Sequence, residues 1–120
     1  MRPFRVTGID ISTYLVKDAE RAKRFYRDVL GLTLEADYAA QGGEFALPDG
    51  STFGLFEGGA QVPWRQCTGV MFAVDDIDGA VAAVRTSGAP MNDAFETPVC
   101  FMAVGEDSEG NMLILHKRKA

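Results

Sequence analysis

The chain repeats itself, and an internal repeat limits the fold more than any single residue does. Tyr14-Leu15-Val16-Lys17-Asp18 opens a stretch of helical periodicity that closes at Gly31, and Phe72-Ala73-Val74-Asp75-Asp76 opens another that closes at Gly88. Pro48-Asp49-Gly50 stands ahead of Phe53 and Leu55 as Ser108-Glu109-Gly110 stands ahead of Leu113 and Leu115. Two copies in 120 residues read as two copies of one supersecondary unit. Each alone would bury too little surface to be stable, so both halves are expected to share one core in a single domain, 1–120.

Within each copy the residue pattern predicts the same order of elements. Residues 7–16 carry apolar groups on both parities (Ile9, Ile11 and Leu15 against Tyr14 and Val16), which predicts a strand covered on both faces. Asp18 is placed to cap a helix whose stripe is Ala22, Phe25, Tyr26, Val29 and Leu30, with Glu20, Arg21, Lys23, Arg24 and Arg27 on the other side. Gly31 ends it in a left-handed conformation. In the second copy Val70, Phe72 and Val74 alternate, Asp76 caps, Ile77, Ala80, Val81 and Val84 form the stripe, and Gly88 and Pro90 stop it. Gly79 weakens that helix by about 1 kcal/mol relative to Ala.

Short strands follow each helix, at 33–38, 43–47 and 52–57 in the first copy and at 90–92, 99–104 and 112–117 in the second, with Pro48-Asp49-Gly50 and Glu109-Gly110-Asn111 as turns. The segment 58–66 breaks periodicity and reads as a linker. Module one is thus about 7–57 and module two about 67–117. Strands in runs after one helix indicate α+β, two βαβββ modules forming a curved mixed sheet around a cavity. One face of each sheet is expected to pack its helix and the other to line the groove.

Charge and hydropathy exclude several classes of function. A net charge of −5 gives no broad attraction to a phosphate backbone, so nucleic acid is not an expected partner. The basic run Lys117-Arg118-Lys119 is too short to reverse that. No apolar run approaches the roughly 20 residues of a membrane span, and the first residues lack the apolar core of a signal peptide. The expected location is cytoplasmic, with Cys67 and Cys100 reduced.

The string Phe25-Tyr26-Arg27-Asp28-Val29-Leu30-Gly31-Leu32, with Tyr14 to Asp18 before it, resembles the first-module signature of the vicinal oxygen chelate superfamily. That group includes glyoxalase I, extradiol dioxygenases, fosfomycin-resistance transferases and bleomycin-resistance proteins. Phe72 to Ile77 and Asp107-Ser108-Glu109-Gly110-Asn111 resemble its second-module signatures. The resemblance implies paired βαβββ modules around a cavity (the glyoxalase/bleomycin-resistance/dioxygenase fold), a homodimer, and in catalytic members a divalent metal held by His, Glu or Gln at fixed strand positions. Those positions fall here on Ile11, Gly54, Gly69 and Ile114. None offers a side-chain lone pair, so no metal and no cofactor are expected. Gly54 and Gly69 either leave the cavity open there or mark bulges or close-approach sites.

Strand parity then selects the residues expected to line the cavity. Thr13 shares parity with Ile11, Met71 with Gly69 and Phe56 with Gly54, and Met112, Ile114 and His116 share a face of the last strand. His116, the only histidine, is suited to hydrogen bonding or proton handling. Trp64, the only tryptophan, follows the linker and reads either as an aromatic at the cavity mouth, where an indole can stack on a planar ligand, or as a plug that packs the linker onto the body or a dimer contact. Glu44, Glu57 and Glu96 have no catalytic spacing and read as solvated charge. The expected ligand-binding set is therefore Thr13, Phe56, Trp64, Met71, Met112, Ile114 and His116. A lining this apolar indicates binding of a small apolar or aromatic molecule. The alternative is a metal-dependent lyase, isomerase or dioxygenase with non-standard ligands, His116 and a glutamate among them.

Overall fold

Each half of the computed structural model, which describes residues 3–119, folds as strand, helix and three strands. Module one contains β1 (Ser12–Val16), α1 (Ala19–Arg24, continued by a π-helical turn Phe25–Val29), β2 (Thr33–Asp37), β3 (Gly42–Ala46) and β4 (Thr52–Glu57). Module two contains β5 (Met71–Ala73), α2 (Ile77–Thr86), β6 (Phe95–Glu96), β7 (Cys100–Glu106) and β8 (Met112–Arg118). The two sheets have equivalent strand orders, β1-β4-β3-β2 and β5-β8-β7-β6, with β1/β4 and β5/β8 parallel and the other pairs antiparallel. This is the α+β pair of βαβββ modules that the repeat predicts. The sheets do not close into a barrel.

The helix boundaries come from the predicted residues. Asp18 accepts a hydrogen bond from the amide of Arg21 at 3.1 Å, and Asp76 from that of Gly79 at 2.9 Å, each cap worth about 1 kcal/mol. Gly31 and Gly88 take φ of 73° and 92°. The π turn advances the stripe so that both Phe25 and Tyr26 are buried.

Four aromatic rings join the modules. Phe53 meets Phe72 edge-on at 5.0 Å, Tyr26 lies 5.1 Å from Phe53 and 5.9 Å from Phe72, and Tyr14 packs on Phe53 at 5.4 Å. Around them the turn after β7 fastens onto module one. Buried Glu109 accepts from the amides of Lys17 (2.9 Å) and Asp18 (2.8 Å) and from the Arg21 guanidinium (2.7 Å). Burial alone would push this carboxyl up, but the Arg21 and Asp18 hydrogen bonds outweigh it and hold the group below the usual range. Asp107 accepts from the Tyr26 hydroxyl at 2.6 Å and from the amides of Glu109 and Asn111, and here burial prevails and raises its pKa. Asn111 donates to the Leu15 carbonyl (2.6 Å) and accepts from the Cys67 amide (2.8 Å).

Four expectations are corrected. The first strand begins at Ser12 rather than residue 7, because residues 3–10 leave the body and find no strand to pair with; Ile9 is 90% exposed. The expected strand at 90–92 shrinks to a single bridge, Met91 to Gly105, and β6 forms further on at Phe95–Glu96. Lys23 is buried rather than solvated, since Asp37, Glu20 and the Ala39 carbonyl surround its ammonium at 2.7–2.8 Å. Finally, the helix-side faces meet in the aromatic core, so the other faces do not form a closed cavity within one chain; they are unevenly covered, with Met71 51% exposed and Ile114 buried at 7%.

Candidate functional site

Alternation along β8 and β5 builds one open face. Leu113, Leu115 and Phe72 point into the core, which turns Met112, Ile114, His116, Met71 and Ala73 the other way. The register sets Met71 beside Ile114 and Ala73 beside His116, with Val104 and Met102 next on β7. Four of the seven predicted residues therefore share a face: Met71, Met112, Ile114 and His116. A groove of about 590 Å³ opens on it, lined by Met71, Ala73, Pro98, Val99, His116, Arg118 and Lys119. Met71 is 51% and Val99 72% exposed, a large apolar exposure for a sheet face. Arg118 and Lys119 place cations at one end. They were missed as site residues, although the basic run 117–119 was their signal, and counting two on from Met71 would have given Ala73. No side-chain hydrogen bond to a described residue orients the His116 imidazole, so a base with a fixed partner is not assembled there.

The other two sheet-face residues lie on module one. Thr13, Gly54 and Glu44 form one cross-strand row, with Thr13 exposed. Phe56 stacks on Tyr38 at 6.1 Å, and the Tyr38 hydroxyl donates to Glu44 at 3.1 Å. Of the two readings of Gly54, close approach is the one the structure shows: a Cβ there would meet both Ile11 Cδ1 and Phe56 Cε2 at 2.9 Å. Gly69 is instead a bend, with φ of 105°. The glycines thus mark a close approach and a turn rather than an open pocket.

Trp64 lies apart from both faces. Its backbone and Cβ press on Gly58 just beyond β4, and the Lys17 ammonium sits 4.2 Å over its ring. Its indole N–H is buried without a hydrogen-bond partner among the described residues.

A family-type metal does not fit the residues present. Ile11, Gly54, Gly69 and Ile114 supply no donor atom, and Ile11 with Phe56 occupies the space over Gly54. Among the described residues no three of His, Cys, Asp and Glu cluster as ligands. His116 has no carboxylate bonded to it among these residues, which leaves the non-standard ligand set without a second member.

The whole fold has counterparts of known structure. An antibiotic-binding protein, TnmS3, from Streptomyces sp. CB03234 superposes with a TM-score of 0.81 at 22% identity, covering 97% of this chain and 99% of that one. Lactoylglutathione lyase from Agrobacterium tumefaciens gives 0.72 at 21%, covering 97% and 96%. A glyoxalase/bleomycin resistance protein from Streptomyces sp. CB03234 gives 0.72 at 23%, covering 88% and 96%. No match was found among curated protein sequences. A family model matches residues 8–115, nearly the whole chain. The chain belongs to the Glyoxalase/Bleomycin resistance protein/Dioxygenase superfamily.

Proposed function

We propose that this chain is a small-molecule-binding protein that holds an apolar or aromatic molecule on its open sheet faces, without a family-type metal, as a cytoplasmic homodimer. The observation that carries the reading is what replaces a metal site: two isoleucines and two glycines at the ligand positions, with Ile11 and Phe56 closed over Gly54. Metal-assisted lyase, isomerase or dioxygenase chemistry needs an ion to polarise oxygen, and these positions cannot hold one. The residues are instead suited to contact. Met71, Val99 and Ala73 offer apolar surface and Met71 offers an adaptable thioether. Thr13, Phe56 and Met112 extend that surface over both sheets, Ile114 lies buried behind Met71, and His116 and Arg118 supply the few polar groups that fix orientation. A protein of the same fold is an antibiotic-binding protein, which is consistent with sequestration. Two copies that bring the face of module one against that of module two would enclose a ligand that either face alone leaves wet.

Calorimetry against planar, partly apolar compounds tests this on chelator-treated protein. Saturable binding that weakens when Met71→Trp fills the groove is expected. Turnover or binding that appears only after Zn²⁺, Mn²⁺, Fe²⁺ or Ni²⁺ is added, and that is lost in His116→Ala, would replace it with the enzyme reading.

A further inference from the structure

The basic run 117–119 is divided by the strand it ends, and one of its three cations is left for a ligand. By alternation Lys117 and Lys119 belong to the side of Phe101, the register partner of Lys117. Both are occupied. The Lys117 ammonium donates to the Asp75 carbonyl at 2.8 Å. The Lys119 ammonium meets the Glu96 carboxylate and lies 5.3 Å over the Phe101 ring, so Lys119 borders the groove with its charge already paired. Arg118 has the parity of His116 and lines the groove of about 590 Å³ beside Met71, Ala73, Pro98 and Val99. Among the described residues, neither its guanidinium nor the His116 imidazole has a side-chain hydrogen bond or an ion pair.

This groove reverses the charge of the rest of the chain. The net charge is −5, and the groove of similar size beyond the end of β5 carries Asp75, Asp76, Asp78 and Glu96. No carboxylate is among the described residues that line the His116 groove. The one acid of β7, Glu106, pairs with Met112 at the far end of the strand. Cys100, the partner of Arg118, lies six residues away from it, about 20 Å along the strand. A cation without a counter-charge beside apolar walls attracts an anion, and the attraction is stronger there than in open water.

We infer that the ligand of this groove is an amphipathic monoanion: an aromatic acid whose rings lie on Met71, Ala73 and Val99 and whose carboxylate or sulfonate is held by Arg118, with His116 as a second donor. This rests on the reading that the face binds a small molecule, and adds the charge of that molecule to it. The planar guanidinium fork matches a carboxylate with two parallel N–H donors, and one guanidinium balances one negative charge. A phosphate dianion would keep a second charge uncompensated. A neutral ligand would cover Arg118 without replacing the water it displaces, which costs free energy, and a cation would be repelled.

Three naphthalenes of one shape test it by calorimetry: 2-naphthoate, 2-naphthamide and 2-naphthamidinium, which present an anion, a neutral amide and a cation from the same rings. The naphthoate is expected to bind about tenfold or more tightly than the amide, and the amidinium more weakly than either. Arg118 is exposed and holds no structural contact among the described residues, so Arg118→Gln is expected to fold. It is expected to weaken the naphthoate about tenfold and to change the amide less than twofold. Lys117→Gln removes the same charge from the other side of the sheet and is expected to change neither by more than twofold. An amide or amidinium that binds as tightly as the naphthoate overturns the anion while leaving the binding reading in place, provided Met71→Trp still weakens it. So does a naphthoate weakened equally by Arg118→Gln and Lys117→Gln. Binding of none of the three, or binding indifferent to Met71→Trp, overturns both.

Discussion

Replacing Glu109 by Ala should cost far more than its position on a surface turn suggests. Glu109 is 2% exposed, and its carboxylate serves the first amides ahead of α1 as well as Arg21. Two charge-assisted amide bonds contribute about 1 kcal/mol each after water competes for the exposed donors. Arg21 is half exposed, so its ion pair adds about 0.5 kcal/mol. The loss is therefore about 2–3 kcal/mol, or about 10 °C in Tm for a chain of this size. Asp49→Ala is the internal control, because it is the same turn position in module one. Asp49 is exposed and, among the described residues, its side chain bonds only Ser51, so the expected cost stays under about 1 kcal/mol. Thermal and urea unfolding of both variants measure the difference. The pH dependence has a fixed sign: Glu109 titrates lower in the folded chain, so its stabilisation is present above the ordinary glutamate pKa and is lost as pH falls through its depressed folded value. Asp107 has the opposite shift, so its share is present in acid and lost as pH rises through its raised folded value. Glu109→Ala should flatten the loss of stability in acid. Equal costs for the two variants, or an unchanged acid limb, would refute the idea that this turn clasps the modules.

Gly42→Ala should abolish folding or cost more than about 3 kcal/mol, since its Cβ would lie 1.8 Å from the Leu55 carbonyl oxygen at a φ of 144°; expression and circular dichroism report this. Lys23→Met should change stability by about 1 kcal/mol or less by urea unfolding, because the stem stays buried while Glu20 and Asp37, both more than half exposed, return to water. Met71→Asp should reduce affinity for an apolar ligand at least tenfold by calorimetry without changing Tm by more than about 2 °C, since Met71 is half exposed.

The repeat made the fold legible because caps and stops are local. Asp18, Asp76, Gly31 and Gly88 perform their roles through neighbours within four residues, so spacing alone identifies them. Strand parity was equally informative for Met71, Ile114 and His116, since alternation survives any sheet arrangement. What the sequence hid depends on distant partners. Lys23 reads as a solvated cation until Asp37 and the Ala39 carbonyl arrive from beyond the helix. Asp107, Glu109 and Asn111 read as a turn, and nothing local distinguishes Glu109, which clasps α1, from Asp49, which does not. Nearness to a linker left Trp64 between a cavity mouth and a plug on the body, and only the folded linker, which lays it on Gly58, separates the two. The open faces were equally hidden, because parity tells which side chains share a face and not which face meets the other module.

The central claim is that this fold binds an apolar molecule without an ion. The direct measurement is a titration of 8-anilinonaphthalene-1-sulfonate, whose fused rings and anionic group match the groove of Met71, Val99 and Arg118. It is run on the same preparation before and after exhaustive dialysis against EDTA, with metal content read by mass spectrometry. Saturable binding of equal affinity is expected in both, reduced at least tenfold by Met71→Asp. A bound ion at one per chain, with dye or substrate affinity that falls on its removal and returns on its addition, would contradict it.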